Sequence, residues 1–426
     1  MTYVFKRLAT HLLLLPLFVF LSERGLLAAP QEITPQVAGE KPSLPAPFDL
    51  YSEEQEQILD PEPRTHGYFG AQLYSIDNGL VVGGAHRIRI FEFDDEGSCN
   101  VAHTIHAPEN AQNPGTFGTN FSACNDLIAA KTIMPGSQNA IYRYQKTDAG
   151  WKQLSNIEPD DLPEGCVLRH NLVVVDDLLL VDSERGVEVF RFNKETSNHN
   201  WEATLHPPYE TEINRFGFTM ATDGNRIAVT SFEGSEVPEA IDIYEQSPDG
   251  TWARTAHLQP EDNKPEWFGR SLQFDEDLLF VGAPHWNITT GCVYIFEHTD
   301  DGSWSKKQQL KVFPDSLGSL GNHLHHQDGT LLIGAGCEGF QGSAYVFQRS
   351  EDGSYQRTAM LCSTREPVGS GFGAKVAVHN DDLFVASILA PYERNGTAGR
   401  IHHFRLPKTE PAEKPADSKH ALQDRK

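Results

Sequence analysis

The sequence predicts an all-β fold, a seven-bladed β-propeller of four-stranded antiparallel blades, on three observations. A Phe-Gly dipeptide or a degenerate form of it recurs seven times with a period near 50 residues. Inside each copy the apolar residues alternate with a spacing of two, as half-buried strands require. The last copy lacks its outer strand, and a segment with that pattern stands ahead of the first copy.

The elements follow in chain order over 426 residues. Residues 1–29 read as a signal peptide: Lys6 and Arg7 precede the apolar stretch from Leu12 to Leu21, and Ala28 or Ala29 supplies the small residue before a cut. That stretch is too short to span a bilayer. Pro30 disfavours cleavage directly after Ala29, which keeps an uncleaved anchor open as a second reading. The expected address is secreted, periplasmic or cell-surface, with no membrane span after signal cleavage. Residues 30–52 are a proline-rich linker, residues 53–407 the propeller, and residues 408–426 a disordered tail rich in Pro, Ala, Lys and Glu.

The copies begin at 69, 117, 168, 216, 268, 320 and 372, separated by 48, 51, 48, 52, 52 and 52 residues. Five open with Phe-Gly; Leu320-Gly321 and Leu168-Arg169 are degenerate. Four residues after each start comes an apolar residue such as Leu73, Leu272 or Val376, and later pairs such as Leu179/Val181 and Leu331/Ile333 mark a second strand. Turn formers such as Asp328-Gly329 and Asp381-Asp382 separate the two. A third strand ends on an aromatic in every copy, from Phe91 to Phe404, and a fourth is opened by Trp151, Trp201, Trp252, Trp304 or Tyr355. Such a unit has two apolar faces to bury, so the copies must stack around an axis. Residues 53–61 align Leu59-Asp60-Pro61 with Leu258-Gln259-Pro260, and are expected to complete the last blade and remove its free edge.

The Phe-Gly starts, the Gly-Ala-Pro at 282–284 and the Gly-x-Val-Tyr-Ile-Phe run at 291–296 together resemble FG-GAP repeats, which build the seven-bladed propeller of the integrin α-subunit head. The likeness runs from 53 to 407. It implies a ligand-bearing face on the side of the long loops. FG-GAP propellers often carry calcium loops, but the corresponding turns here are too short to wrap an ion with six to eight oxygens, and acidic runs such as Asp275-Glu276-Asp277 read as turns.

Composition and motifs narrow the chemistry. With 59 Asp+Glu against 35 Lys+Arg, the net charge of −24 disfavours nucleic acid as a partner. His323 and His325 share a strand face and could bind a metal, but no spacing supplies a third ligand, so neither metal nor cofactor is expected. No nucleophile elbow, zinc-protease motif or phosphate loop is present, so no catalytic residue is nominated. The six cysteines include no Cys-x-x-Cys pair; Cys337 and Cys362 fall where a disulfide fits, with Cys292 competing for Cys337.

These observations lead to an exported, monomeric, non-catalytic binding or adhesion scaffold whose partner is a protein or an extracellular polymer. Its expected ligand face carries Tyr209, Trp267, Trp286, Phe340, Tyr392 and Arg394, large residues on the long loops with no strand periodicity to bury them. The alternative is a secreted propeller enzyme acting on polysaccharide or another extracellular polymer. The two are told apart at the axis, where an enzyme should show two or more carboxylates or histidines converging within about 10 Å in a concave pocket with perturbed pKa values, and a flat or apolar face would favour binding.

Overall fold

The repeat becomes blades because its turn residues accept the backbone that tight antiparallel hairpins demand. In the computed structural model, Asp176, Glu276, Asp328 and Asn380 adopt φ of 52, 48, 49 and 54° between the first two strands of their copies. Asp275 ends its strand and Leu278 opens the next, so the acidic run around Glu276 is such a turn. The structure describes residues 54–63, 66–94, 96–109, 111, 113–132, 140–208, 216–231, 240–260, 267–284, 291–312, 319–336, 342–363, 366–392 and 396–406.

These residues form seven four-stranded antiparallel sheets. Blade 5 typifies them, with strands Ser271–Asp275, Leu278–Ala283, Cys292–His298 and Trp304–Leu310 running from the axis outward. The degenerate start at Leu168 opens the inner strand Leu168–Val175 of blade 3, and Leu320-Gly321 leads into His323–Gln327 of blade 6. The expected closure is present. Glu54–Ile58 pairs with Arg400–Arg405, with Gln57 opposite His402 and Ile58 opposite Ile401, so the ring is shut by hydrogen bonds between segments from opposite ends of the propeller.

Core clusters bridge neighbouring blades, as the stacking argument requires. One joins Ile241 and Ile243 of blade 4 to Phe268, Leu279 and Tyr294 of blade 5; another joins Leu332 and Val346 of blade 6 to Phe372, Val385 and Phe404 of blade 7. The Phe of each start meets the third-strand aromatic of its own copy edge-on, as Phe268 does Tyr294 at 5.4 Å and Phe216 does Tyr244 at 6.2 Å. The glycine after it has a sharper role than close packing. Gly269 sits at φ 89°, and a Cβ there would lie 2.6 Å from the Thr230 side chain of the preceding blade. A second glycine opens the third strand: at Gly342, φ 92°, a Cβ would lie 1.9 Å from the carbonyl oxygen of Phe372 in the next blade. One outer aromatic departs from the expected burial. Trp201 is 45% exposed, and its Nε1–H donates to Glu188 at 3.0 Å.

Just past the closing strand, Asp60 latches blade 7 to blade 1. Its side chain is 7% exposed and sits 3.0 Å from Arg87 and 2.7 Å from Arg89, both of them buried on the third strand of blade 1.

Candidate functional site

Each inner strand has one edge facing the axis, and its backbone groups need partners. Side chains on the inner strand of the preceding blade supply them. Tyr74 donates to the carbonyl of Phe121 at 3.0 Å, Ser122 accepts from the N–H of Val174 at 3.0 Å, and Gln273 spans both backbone groups of His326 at 2.8 and 2.9 Å. His323 and His325 do the same for blade 7: their Nδ1 atoms accept the N–H groups of Val376 and Val378 at 3.2 and 3.1 Å. Their strand spacing puts the two rings' Cα atoms roughly 6.6 Å apart.

That bonding fixes the histidines' chemistry. A ring nitrogen that accepts an amide proton cannot carry its own, so the neutral ring holds its proton on Nε2. Both rings are neutral at pH 7. Burial, then the charges of Lys375, His325 and Arg270, hold His323 well below the ordinary imidazole range, and burial with His326 and His379 nearby pushes His325 down to about 4.

Beside His323 stand two cations. Lys375 is adjacent to Val376, the residue whose N–H His323 holds, and burial followed by the charge of Arg270 pushes its amine down to about 7. Burial pushes Arg270 down to about 10. Both retain partial accessibility while enclosed by protein, as the walls of an axial channel do. The Arg270 guanidinium lies 5.5 Å from the ring centroid of Phe218, and Phe218 meets Trp267 edge-on at 6.3 Å. Among the described residues no carboxylate pairs with Arg270 or Lys375. Since Arg270, His323 and Lys375 lie two or three residues after their copies' starts, they sit where inner strands begin, at the mouth from which the long connections emerge.

A second constellation has the composition of a catalytic triad without its geometry. Ser387 Oγ lies 2.9 Å from His402 Nε2, but Glu366 approaches that same nitrogen at 3.4 Å, while Nδ1 faces Gln57 at 3.4 Å. A triad needs the acid on the opposite nitrogen and a reachable hydroxyl, and all three side chains here are buried. The cluster instead ties the closing strand to blade 7. The thiols of Cys99 and Cys166 are pushed up to about 12, by burial first and neighbouring carboxylates second, so neither is a nucleophile at neutral pH.

Of the six expected ligand residues, Trp267 is half-buried and belongs to the mouth just described. Tyr209, Trp286, Phe340 and Arg394 lie outside the described residues, and Tyr392 is placed by its backbone alone, in a short hairpin with Gly396–Thr397. Cys337 also lies outside them, and with it the Cys337–Cys362 pairing. Sequence reading missed Arg270 and Lys375. Their signal was positional: two and three residues after the start, most copies have small or neutral polar residues where these have cations.

No protein-family model matches the chain, and no curated protein matches it. Among solved structures, it is similar to the periplasmic gluconolactonase PpgL of Pseudomonas aeruginosa, at 13% identity and a TM-score of 0.48, covering 77% of this chain and 96% of that one. It is also similar to Hsv2 of Kluyvelomyces marxianus, at 11% identity and a TM-score of 0.47, covering 74% of this chain and 87% of that one. The reading as a non-catalytic binding or adhesion scaffold is corrected here. The inner strands of blades 6 and 7 bring two histidines and a lysine of lowered pKa together at the axis, a cluster of the kind expected of the alternative, an enzyme.

Proposed function

We propose that the chain is an exported FG-GAP-type propeller enzyme acting on a polysaccharide or another extracellular polymer, with its chemistry at the loop-bearing mouth of the axis. One observation carries the reading: three successive blades supply Arg270, His323 and Lys375 to one place with no carboxylate partner among the described residues. Lys375 is half uncharged near pH 7 and is the group suited to exchange a proton with a substrate. His323 offers a neutral Nε2–H donor, and Arg270 keeps its charge to hold an anion or a developing oxyanion. Export is supported by the leader pattern, and the FG-GAP reading by the in-phase starts whose glycines the blade contacts require.

The test is a cleavage assay of the purified mature chain against neutral, uronate-bearing and sulfated polysaccharides, read as new reducing ends. At least one polymer is cleaved, and Lys375→Met lowers kcat/KM about 100-fold or more without lowering the thermal midpoint. A wild-type chain that leaves every polymer intact, or a Lys375→Met variant with full turnover, overturns the reading.

A further inference from the structure

We infer that the axial mouth between blades 4 and 7 is a subsite for an anionic sugar unit, a carboxylate or sulfate ester, clamped by Arg270 with the sugar face against Trp267 and Phe218. The inference deepens the enzyme reading and rests on it for the identity of the polymer. Its ground is a charge imbalance. In a chain of net charge −24, Arg270 and Lys375 are enclosed beside the neutral His323 with no acid partner among the described residues, and Arg270 raises the cost of charge on Lys375. Buried charge is kept where something compensates it. An anion fits that role, and the planar guanidinium matches a carboxylate or sulfate with paired N–H donors. The aromatic neighbours narrow the class further. Phe218 and Trp267 are both half-buried at the mouth, and flat aromatic faces beside a cation suit a pyranose ring that carries a charge. The left-handed φ of 60° at Trp267 is not itself evidence of a site, because Tyr68 holds the same place before Phe69 at φ 48°.

The subsite has a signature that packing alone would not produce. Arg270 holds down the affinity of Lys375 for its proton; an anion that neutralises Arg270 removes that effect, so binding near pH 7 draws in a proton. Calorimetric titration of the full chain with glucuronate, glucose 6-sulfate and glucose, in two buffers of different ionisation enthalpy, tests this. Glucuronate or glucose 6-sulfate binds at least tenfold more tightly than glucose, with proton uptake, and the two arms decide between carboxylate and sulfate. Arg270→Gln abolishes both the preference and the uptake, while Trp267→Leu weakens all three sugars and keeps the uptake. Equal binding of glucose, no binding of any sugar, or a preference that survives Arg270→Gln overturns the inference. Cleavage confined to neutral polymers defeats the subsite and leaves the enzyme reading standing. Anionic sugars bound as described with no polymer cleaved defeats the enzyme reading alone.

Discussion

Cations enclosed by protein occur on two sides of the ring and are treated in opposite ways. On blades 1 and 2 three of them have acids, while Arg143 is held by the Ser155 carbonyl instead. Arg87 and Arg89 meet Asp60, and Lys131, 1% exposed and donating to the Arg169 carbonyl, has the charge of Asp182 nearby. Burial pushes Lys131 down to about 8 and Asp182 up to about 6, each shift opposed by the other's charge. Around blades 5 to 7, Arg270 and Lys375 have one another and no carboxylate partner among the described residues. The first arrangement holds the ring together, and removing one member leaves a buried charge short of its partner. The second works against the ring, which is the ground for the anionic ligand proposed above. Where a cation sits in the ring therefore says less than whether the fold has balanced it.

The largest break in that comparison falls at the latch. Asp60→Ala takes the buried carboxylate from Arg87 and Arg89, leaves them only the exposed Glu62 at 2.6 and 3.5 Å, and is expected to cost about 3 kcal/mol, read as a fall in the denaturation midpoint at unchanged m-value. Deleting residues 30–62, which removes both the latch and the closing strand, should destabilise the ring further; an unchanged melting temperature would refute the closure as a stabilising device.

Next comes the unbalanced side, where the cost falls on function. Wild-type kcat/KM against the cleaved polymer should show an inflection near pH 7 that Lys375→Met lacks, together with the loss of about 100-fold, or about 2.7 kcal/mol. A profile flat from pH 6 to 8 in the wild type removes Lys375 from the chemistry.

The same substitution at the two lysines sharpens the contrast. Lys131→Met takes the countercharge from Asp182 and should destabilise by about 2 kcal/mol at pH 7. Lys375→Met should stabilise, by about 1 kcal/mol at pH 6 once solvent screening at the channel wall is allowed for. The sign follows from linkage. Below pH 7 the native lysine bears its charge at full cost. Between pH 7 and its ordinary value near 10.4 the native state sheds a proton that the unfolded chain keeps, so the wild type gains stability as pH rises and the variant's advantage shrinks. Equal signs for the two variants in paired melts at pH 6 and 9 would erase the distinction.

Sequence by itself determined the architecture. The starts from 69 to 372, the alternation of two and the turn residues each bear on local backbone, and a repeat that cannot bury its faces alone has few ways to stack. Even the closure was legible, because Leu59-Asp60-Pro61 repeats an outer-strand pattern. It did not reveal that Asp60 would reach Arg87 and Arg89, for which the ends of the propeller must first be joined. Nor did it show the site. Trp267 was picked for its size and loop position, whereas Arg270, His323 and Lys375 are about 50 residues apart in sequence and lie beside one another only because successive inner strands line one axis. Local pattern encodes strands because strand formation depends on neighbours in the chain. Whether a buried charge is balanced depends on neighbours in space, and for Arg270 and Lys375 only the assembled ring decided who those were.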